Sequence, residues 1–315
     1  MRIHTPLASL EPGERELLAQ LCGQFPGVPE KDALRFLVAR NFDVSKAALF
    51  LEADLAWRKS YAPSEVTQAS VPRVLPSGHW RSLGTMQVEG VSVAVIWVQV
   101  SLFWPEQYDV PEFHALLVYF LERLGQVAEQ FVFLFDMAGW RISHGLHLRK
   151  VHAHITTLQE HYPERLRAAL LVGVPAIFFV SWKLIRLMLD PVTASKVFFL
   201  RGGESQAAEL LEHIDKSVLP VRYGGERRDE DTPVPGELTL TANPNPNHNH
   251  NHNHNHNPDP NPDPDPDPDP DPDPNPNLNP NPNPNPGLEG EPTVEVLDVH
   301  GRPVIETANG AEKRN

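Results

Sequence analysis

Apolar residues in the first 62 positions recur with the spacing of amphipathic helices. Residues 13–22 are weakly helical, and in residues 29–40 the side chains of Leu34 and Leu37 share one stripe. Residues 43–61 continue this spacing after Asp43, whose side chain is typical of a helix N-cap. The pattern predicts an N-terminal helical bundle over residues 1–62.

After residue 84 the pattern changes to short apolar runs that alternate with longer helical segments. Two strands are expected to turn at Glu89-Gly90. Further strands are predicted at 131–137, 169–174 and 196–200, and helices at 111–130, 143–162, 176–189 and 204–214. Such alternation is typical of an α/β fold with parallel neighbouring strands, and continuous apolar strands are typical of a sheet covered on both faces.

The stretch LLVGVPAIFFVSW, residues 170–182, contains no charged side chain. It is shorter than the roughly 20 apolar residues that a membrane-spanning helix needs. The helix predicted over 176–189 is apolar around most of its circumference, with only Lys183 and Arg186 charged, whereas a surface helix normally has one apolar stripe. This helix is either a central core helix or the wall of a lipid-sized cavity.

Charge is distributed unevenly along the 315 residues, which carry a net charge of −14. Residues 226–315 contain 18 acidic and 5 basic residues, so the remainder is nearly neutral. The absence of a basic stripe argues against nucleic-acid binding. A single cysteine, Cys22, excludes an internal disulfide framework and fits a reducing compartment. The N-terminal residues lack the apolar core of a signal peptide, so a cytoplasmic location is expected.

The C-terminal segment, residues 226–315, is predicted to be an acidic disordered tail. Residues 244–286 contain 16 prolines that alternate with Asn or Asp, a pattern that prevents helix and sheet formation. Five alternating histidines could chelate a transition metal, or could be the product of repeat expansion in a linker: His248, His250, His252, His254 and His256. Residues 293–306 are expected to form two short strands around His300-Gly301.

Several motifs in one order resemble the CRAL-TRIO family over roughly residues 15–225. They are ALRFLVARNFDVSKA with the later WRKSY, FLFDMAGW, YPERL followed by VGVP, LDPVTASKV, and LPVRYGG. The resemblance implies an α/β fold in which a helical tripod, residues 1–62, precedes a lipid-binding lobe, residues 63–225. In that lobe a mixed sheet flanked by helices floors an apolar lipid pocket, and the helix after VGVP acts as its gate.

Within the family, the motifs resemble the secretory phosphatidylinositol/phosphatidylcholine transfer proteins. That resemblance implies a lipid headgroup site made of Arg40, Glu164, Thr193 and Lys196. Arg40 and Thr193 can donate to a phosphate, whereas Glu164 and Lys196 can bond inositol hydroxyls. The alternatives are a helix-end cation at Arg40 and a structural ion pair between Glu164 and Lys196.

The same resemblance assigns an acyl pocket and gate. The candidate residues are Phe131, Phe133, Phe135, Val174, Ile177, Phe178, Val180, Ser181, Leu184, Ile185 and Met188. The middle strand, FVFLF, lacks the hydroxyls that choline-lipid-binding members use. The short hairpin and FLFDMAGW also resemble the lipid-binding module of a non-receptor tyrosine phosphatase.

The resulting functional expectation is a monomeric, non-enzymatic carrier of phosphatidylinositol or a phosphoinositide that associates transiently with membrane surfaces. Two alternatives remain: a carrier of a small lipophile of the retinoid or tocopherol type, and a lipid-gated adaptor that uses its tail. Phospholipid is the expected partner, and no cofactor or nucleic acid is expected.

The sequence contains none of the common motifs of enzymes. There is no G-x-S-x-G elbow, phosphate-binding loop or Cys-x-x-Cys pair. His144, His147, His152, His154 and His161 are interpreted as a solvated helix face, with a metal site at His144/His147 as the alternative. Asp136 at a strand end is assigned a capping or turn role instead of a catalytic one, and no metal is predicted.

Overall fold

The computed structural model describes residues 7–203 and 205–228, together with 296–297 and 303–304. Three helices come first: α1 (Pro12–Gln24), α2 (Glu30–Val38) and α3 (Val44–Tyr61). Their apolar stripes meet in one cluster that includes Leu18, Leu21, Leu34, Leu37 and Ala47. The predicted N-cap is confirmed, because the Asp43 carboxylate accepts a bond from the Lys46 backbone N–H at 3.0 Å.

A five-stranded mixed sheet follows, as the sequence predicts. Its strands are β1 (Trp80–Val88), β2 (Val91–Gln99), β3 (Gln130–Asp136), β4 (Leu166–Val172) and β5 (Val197–Phe199). The spatial order is the chain order; β1 and β2 pair antiparallel, and every later pair is parallel. The predicted turn at Glu89-Gly90 is confirmed, and both residues have positive φ, as tight hairpin turns require.

Several of the remaining helices begin or end at residues other than those predicted. They are α4 (Val110–Leu124), α5 (Ile142–Gly145), α6 (Leu148–His161), α7 (Phe178–Met188), α8 (Pro191–Ser195) and α9 (Ser205–Leu211). The prediction of one helix over 111–130 was wrong at its end, because the chain caps α4 at Gly125 and then turns into β3. The helix predicted over 143–162 is two helices, and the predicted 176–189 helix is α7.

The two faces of the sheet are covered differently. One face contributes Val95, Trp97, Val132 and Leu134 to a cluster that the C-terminal part of the lobe covers with Leu210, Ile214, Val218, Leu219 and Tyr223. The opposite face packs against α4 through Ile96 and Phe131. Towards β4 and β5 this second face is covered by α7 instead.

Helix α3 is joined to the lobe by a charged network around Arg58. The Arg58 guanidinium donates to Asp54 at 2.9 Å, to Glu122 of α4 at 3.0 Å and to the carbonyl of His161 in α6 at 3.3 Å. Asp54 is only 3% exposed and also receives a bond from His161 Nδ1 at 3.0 Å. The domain boundaries proposed after residues 62 and 225 stay predictions.

Two further strands, β6 (Val296–Leu297) and β7 (Pro303–Val304), pair antiparallel with each other. They agree with the strand pair expected in 293–306. The predictions of a disordered tail and of a chelating histidine run fall on residues 229–295, which lie outside the described residues. Among the described residues, no helix is long and apolar enough to cross a bilayer.

Replacing Arg58 by Met should lower the free energy of unfolding by about 2 kcal/mol, because the buried Asp54 carboxylate loses its main counter-charge. Urea unfolding monitored by circular dichroism measures this change. The matched control is Lys216→Met, which breaks an exposed pair with Glu226 and should change stability by less than about 0.5 kcal/mol. Equal effects of the two substitutions would contradict the anchoring role of Arg58.

Candidate functional site

A cavity of about 880 Å³ lies between the sheet, α6 and α7. This volume is within the range of pockets that hold drug-sized ligands. The floor comes from side chains of β3 that alternate along the strand, Phe133 and Phe135, while α7 contributes Trp182 and Ile185. The space is therefore enclosed mainly by apolar and aromatic groups.

The predicted acyl-pocket residues divide into two groups. Phe133, Phe135, Phe178, Ser181 and Ile185 line the cavity. The other six do not: Phe131, Val174, Ile177, Val180, Leu184 and Met188. Phe131 is fully buried under α4, and Val174 packs near the carboxyl end of β4. Ile177, Val180 and Leu184 lie on the outer, exposed side of α7 and its N-cap.

Helix α6 contributes a second wall that the sequence analysis missed. Leu148, Val151, Ile155 and Leu158 line the cavity, and their spacing of three, four and three residues forms one helical stripe. The apolar spacing of this stripe is visible in the sequence, but the segment was interpreted from its histidines alone.

The interpretation of the five histidines as a solvated helix face was wrong for three of them. The His161 side chain is only 11% exposed and bonds Asp54. His144 and His154 are buried and line the cavity. In His144, Nδ1 accepts from the Arg141 backbone N–H at 2.8 Å, and Nε2 donates to the Phe103 carbonyl at 2.9 Å. In the described residues no group of three or more His, Cys, Asp or Glu side chains could hold a metal ion.

Asp136 has the turn role that was assigned to it. Its Oδ1 accepts from the Ala138 backbone N–H at 3.0 Å, and its Oδ2 accepts from the Tyr223 hydroxyl at 2.5 Å. One carboxylate oxygen therefore closes the turn after β3, and the other joins the end of β3 to the C-terminal part of the lobe.

All four predicted headgroup residues border the same cavity: Arg40, Glu164, Thr193 and Lys196. Glu164 lies two residues before β4, and Lys196 immediately precedes β5, so both lie at the amino-terminal edge of the parallel strands. Glu164 and Lys196 form an ion pair at 3.8 Å. Burial raises the pKa of Glu164, and the neighbouring Lys196 partly opposes that rise.

Thr193 is held by Asp190, a lining residue that the sequence analysis missed. Asp190 caps α8 by accepting backbone bonds from Val192 and Thr193 at 2.8 and 2.9 Å. The Thr193 hydroxyl donates its proton to Asp190 at 2.6 Å. In this arrangement Thr193 offers a ligand a lone pair and not a proton, which differs from the donor role predicted for it.

Arg40 follows the end of α2 on a turn of unusual backbone geometry. Its guanidinium lies 3.6 Å from the centre of the Phe50 ring and donates to the Ala39 carbonyl at 3.0 Å. The next two residues, Asn41 and Phe42, have φ of 52° and 62°. Left-handed backbone at a bulky residue such as Phe42 is uncommon and strained.

Glu164 itself has a φ of 58°. Strained backbone clusters at functional sites because the surrounding fold must hold it in place. Two of the four candidate residues, Arg40 and Glu164, are therefore positioned by left-handed backbone at or next to them. No sequence pattern indicated this feature.

The charged side chains that line the cavity nearly balance one another. Arg40 and Lys196 are basic, and Glu160, Glu164 and Asp190 are acidic. Because Lys196 already pairs with Glu164, Arg40 is the lining cation for which no carboxylate partner is found among the described residues. The arrangement suits a polar group that bears one negative charge and several hydroxyls.

Comparison with known proteins adds to this geometry. Residues 92–225 match the CRAL/TRIO domain. "Protein real-time" of Anopheles gambiae is 28% identical over 256 residues, which span 72% of this chain and 37% of that protein. "SEC14 cytosolic factor" of Kluyveromyces lactis is 26% identical over 230 residues, 67% of this chain and 75% of that protein.

Among solved structures, the crystal structure of Sfh5 aligns with a TM-score of 0.62 at 17% identity. The alignment covers 73% of this chain and 93% of the Sfh5 chain, and it supports the fold alone. These comparisons show a CRAL/TRIO domain at residues 92–225 and a fold shared with Sfh5.

Proposed function

We propose that this protein binds phosphatidylinositol in the cavity and transfers it between membranes without covalent chemistry. The observation that carries the proposal is the distribution of polarity in the cavity. An apolar space is bordered at the amino-terminal strand edge by Glu164, Thr193 and Lys196. An amphipathic lipid has the same distribution, with hydrocarbon chains on one side and a polar headgroup on the other.

The apolar wall supplies the affinity for the acyl chains. Each methylene group removed from water contributes about 0.8 kcal/mol, so two acyl chains contribute on the order of 20 kcal/mol relative to water. A bilayer offers a similar apolar environment, so exchange between protein and membrane can be nearly balanced in free energy. The headgroup contacts then decide which phospholipid is preferred.

The headgroup assignment gives each polar residue a separate task. The guanidinium of Arg40 suits the phosphodiester, because arginine binds phosphate through charge-assisted bonds. Lys196 can donate to an inositol hydroxyl, and Glu164 and Thr193 can accept from inositol hydroxyls. An inositol ring presents several hydroxyls that can each donate and accept, which matches this mixed set.

Charge favours phosphatidylinositol over its phosphorylated forms. Three lining carboxylates accompany two lining cations, and one of those cations is paired with Glu164. An additional phosphate monoester would bring up to two more negative charges next to Glu164 and Asp190. The proposal therefore commits to a headgroup with the single charge of the phosphodiester.

The outer side of α7 supports contact with membrane surfaces. Val180, Leu184 and Leu187 point away from the cavity, and Leu187 is 83% exposed. Exposed apolar residues at helical spacing are typical of surfaces that meet a lipid or protein partner. Because α7 also lines the cavity with Phe178 and Ile185, insertion of its outer side into a bilayer would bring the cavity wall to the membrane.

Replacing both members of the Glu164–Lys196 ion pair should slow phosphatidylinositol transfer. Glu164→Ala/Lys196→Ala is expected to slow transfer from donor to acceptor vesicles by about tenfold or more, since two hydrogen-bonding groups are lost. Transfer of fluorescent phosphatidylinositol measures this rate. In the same assay, the wild type should transfer phosphatidylinositol 4-phosphate more slowly than phosphatidylinositol. The matched control is Lys216→Ala/Glu226→Ala, an exposed pair elsewhere, and equal rates in both double variants would refute the headgroup assignment.

Glu164→Gly should stabilise the lipid-free protein while it weakens phosphatidylinositol binding. Glycine relieves the positive φ, which is expected to add about 1 kcal/mol to the free energy of unfolding. Burial raises the pKa of Glu164, so its carboxylate destabilises the fold above that pKa and does not do so when protonated at low pH. The gain should therefore be larger at pH 7 than at pH 4.

Thermal and urea unfolding of delipidated protein test this stability change. The matched control is Glu89→Gly, which relieves a φ of 53° in the exposed β1–β2 turn. The control should gain similar stability and keep full lipid binding. Loss of stability in Glu164→Gly, or unchanged phosphatidylinositol binding, would contradict a strained binding residue.

Leu187→Glu should slow vesicle-to-vesicle transfer several-fold, because a charge at this position opposes insertion of α7 into a bilayer. The amount of phosphatidylinositol bound at equilibrium should stay unchanged, since Leu187 does not line the cavity. Leu49→Glu on α3, at a residue 70% exposed, is the matched control and should transfer normally. Equal slowing by both substitutions would argue against α7 as the membrane contact.

A further inference from the structure

Asp190 borders the cavity beside Thr193, one of the proposed headgroup residues. Its backbone N–H donates to Oε1 of Gln159 in α6 at 3.3 Å, and its side chain caps α8. Both of these neighbours, Gln159 and Thr193, line the same cavity. The Asp190 carboxylate is therefore held in place by two elements of the cavity wall.

The two carboxylate oxygens of Asp190 have different hydrogen-bond partners. Oδ1 accepts from the backbone N–H groups of Val192 and Thr193 at 2.8 and 2.9 Å. Oδ2 accepts the proton of the Thr193 hydroxyl at 2.6 Å. An ionised carboxylate only accepts, so Thr193 must be the donor in this bond. The Thr193 oxygen therefore offers a ligand lone pairs alone.

A threonine oxygen that can only accept distinguishes an inositol hydroxyl from a phosphate. An inositol hydroxyl has a proton to donate to it, whereas the oxygens of an ionised phosphate monoester are acceptors. Two acceptors that face each other stay unpaired after they have lost their hydration, which weakens binding. The bond between Thr193 and Asp190 thus favours a hydroxyl group at this point of the headgroup.

The charge of Asp190 acts in the same direction. Burial raises the pKa of Glu164, and the neighbouring charge of Asp190 adds to that rise. A phosphate monoester at this place would bring up to two more negative charges next to both carboxylates. The charge effect needs Asp190 alone, whereas the hydrogen-bond effect also needs the Thr193 hydroxyl, so substitutions can separate the two.

We propose that Asp190 is a specificity-determining residue: by holding the proton of Thr193, it makes the cavity take an inositol hydroxyl and reject an inositol phosphate monoester at that position. This inference rests on the proposed function, since it places the phosphatidylinositol headgroup against Thr193. It adds Asp190 to the residues that select the headgroup, and it gives the selection a cause other than net charge.

Asp190→Asn reverses the hydrogen-bond polarity of Thr193 while it keeps the shape of the side chain. Oδ1 of the new amide must stay opposite the two backbone N–H groups, because an amide nitrogen cannot accept. The amide nitrogen then faces the Thr193 oxygen and donates to it, which releases the hydroxyl proton towards the cavity. Asparagine caps helices as well as aspartate does, so α8 should still form.

Binding of phosphatidylinositol and of its three monophosphates tests the proposal. Short-chain, soluble forms of these lipids are titrated into the delipidated full chain, and calorimetry gives each Kd. The wild type should bind phosphatidylinositol about tenfold more tightly than each monophosphate. Asp190→Asn should bind at least one monophosphate about tenfold more tightly than the wild type does, because Thr193 then donates a charge-assisted bond to the phosphate.

Asp190→Asn/Thr193→Val separates hydrogen-bond polarity from charge. This double variant loses the same charge but has no hydroxyl to donate, so it should lose most of the gain in monophosphate binding. An equal gain in both variants would mean that charge alone causes the preference, and would overturn the proposal. The matched control is Asp215→Asn, at a carboxylate that accepts from the Ser217 hydroxyl at 2.6 Å and does not line the cavity. Its affinities should match those of the wild type.

Thr193→Val keeps the inference testable if Asp190→Asn does not fold. Loss of the acceptor should weaken phosphatidylinositol binding about fivefold and monophosphate binding less, so the preference between them should fall. An unchanged preference would overturn the proposal. The wild-type titration tests the proposed function separately. If the wild type does not bind phosphatidylinositol, both fail, whereas binding without a gain in Asp190→Asn overturns the role of Asp190 alone.

Discussion

Strands β2 to β4 are apolar on both faces, and both faces must be kept from water. The face that carries Val132 and Leu134 is covered completely by the C-terminal part of the lobe. On the other face α4 covers Phe131 but leaves Phe133 and Phe135 bordering an open space. Helices α6 and α7 bridge that space without filling it. The cavity thus lies over the part of the sheet that no other side chains of the protein cover.

The need to keep both faces of the sheet from water also explains why α7 has so few charged residues. A helix that closes an apolar cavity must be apolar on its inner side, where Phe178 and Ile185 lie. Its outer side also carries apolar residues, with Leu187 largely exposed, beside the exposed Lys183. In the proposed contact with a bilayer, this helix would have an apolar neighbour on each side, which would account for a chain segment with so few charges.

Polar groups occur where the strands begin and end, because residues there are not packed into the apolar layers on the two faces of the sheet. At the amino-terminal edge, Glu164 and Lys196 pair beside the N-cap of α8. At the carboxyl edge, Ser77 bonds Nδ1 of His79, and Nε2 has no hydrogen-bond partner in the part of the chain that the structure describes. One cavity thus presents two different chemistries about 20 Å apart, as the length of β3 indicates.

Much of the fold could be predicted from the sequence because its patterns are local. The alternation along FVFLF places Phe133 and Phe135 on one face, and the apolar runs identify the parallel strands. The sequence could not show that Phe133 lines the cavity and Phe131 does not, since both are buried in one cluster and the packing of distant helices makes the difference.

The candidate site was less predictable because it depends on contacts between distant segments. Resemblance to a family, and not spacing, pointed to Arg40, Glu164, Thr193 and Lys196. The bond from Thr193 to Asp190 and the left-handed backbone at Glu164 arise from tertiary structure. The hydrogen bond between Ser77 and His79 depends on a three-residue arrangement that no periodicity reveals.

The most direct test of the central claim is mass spectrometry of lipids extracted from the natively purified full chain. The account predicts phosphatidylinositol as the main co-purifying phospholipid, in an amount comparable to that of the protein, because the polar edge of the cavity matches its headgroup. Protein that carries phosphatidylcholine in place of phosphatidylinositol, or no phospholipid at all, would contradict the account.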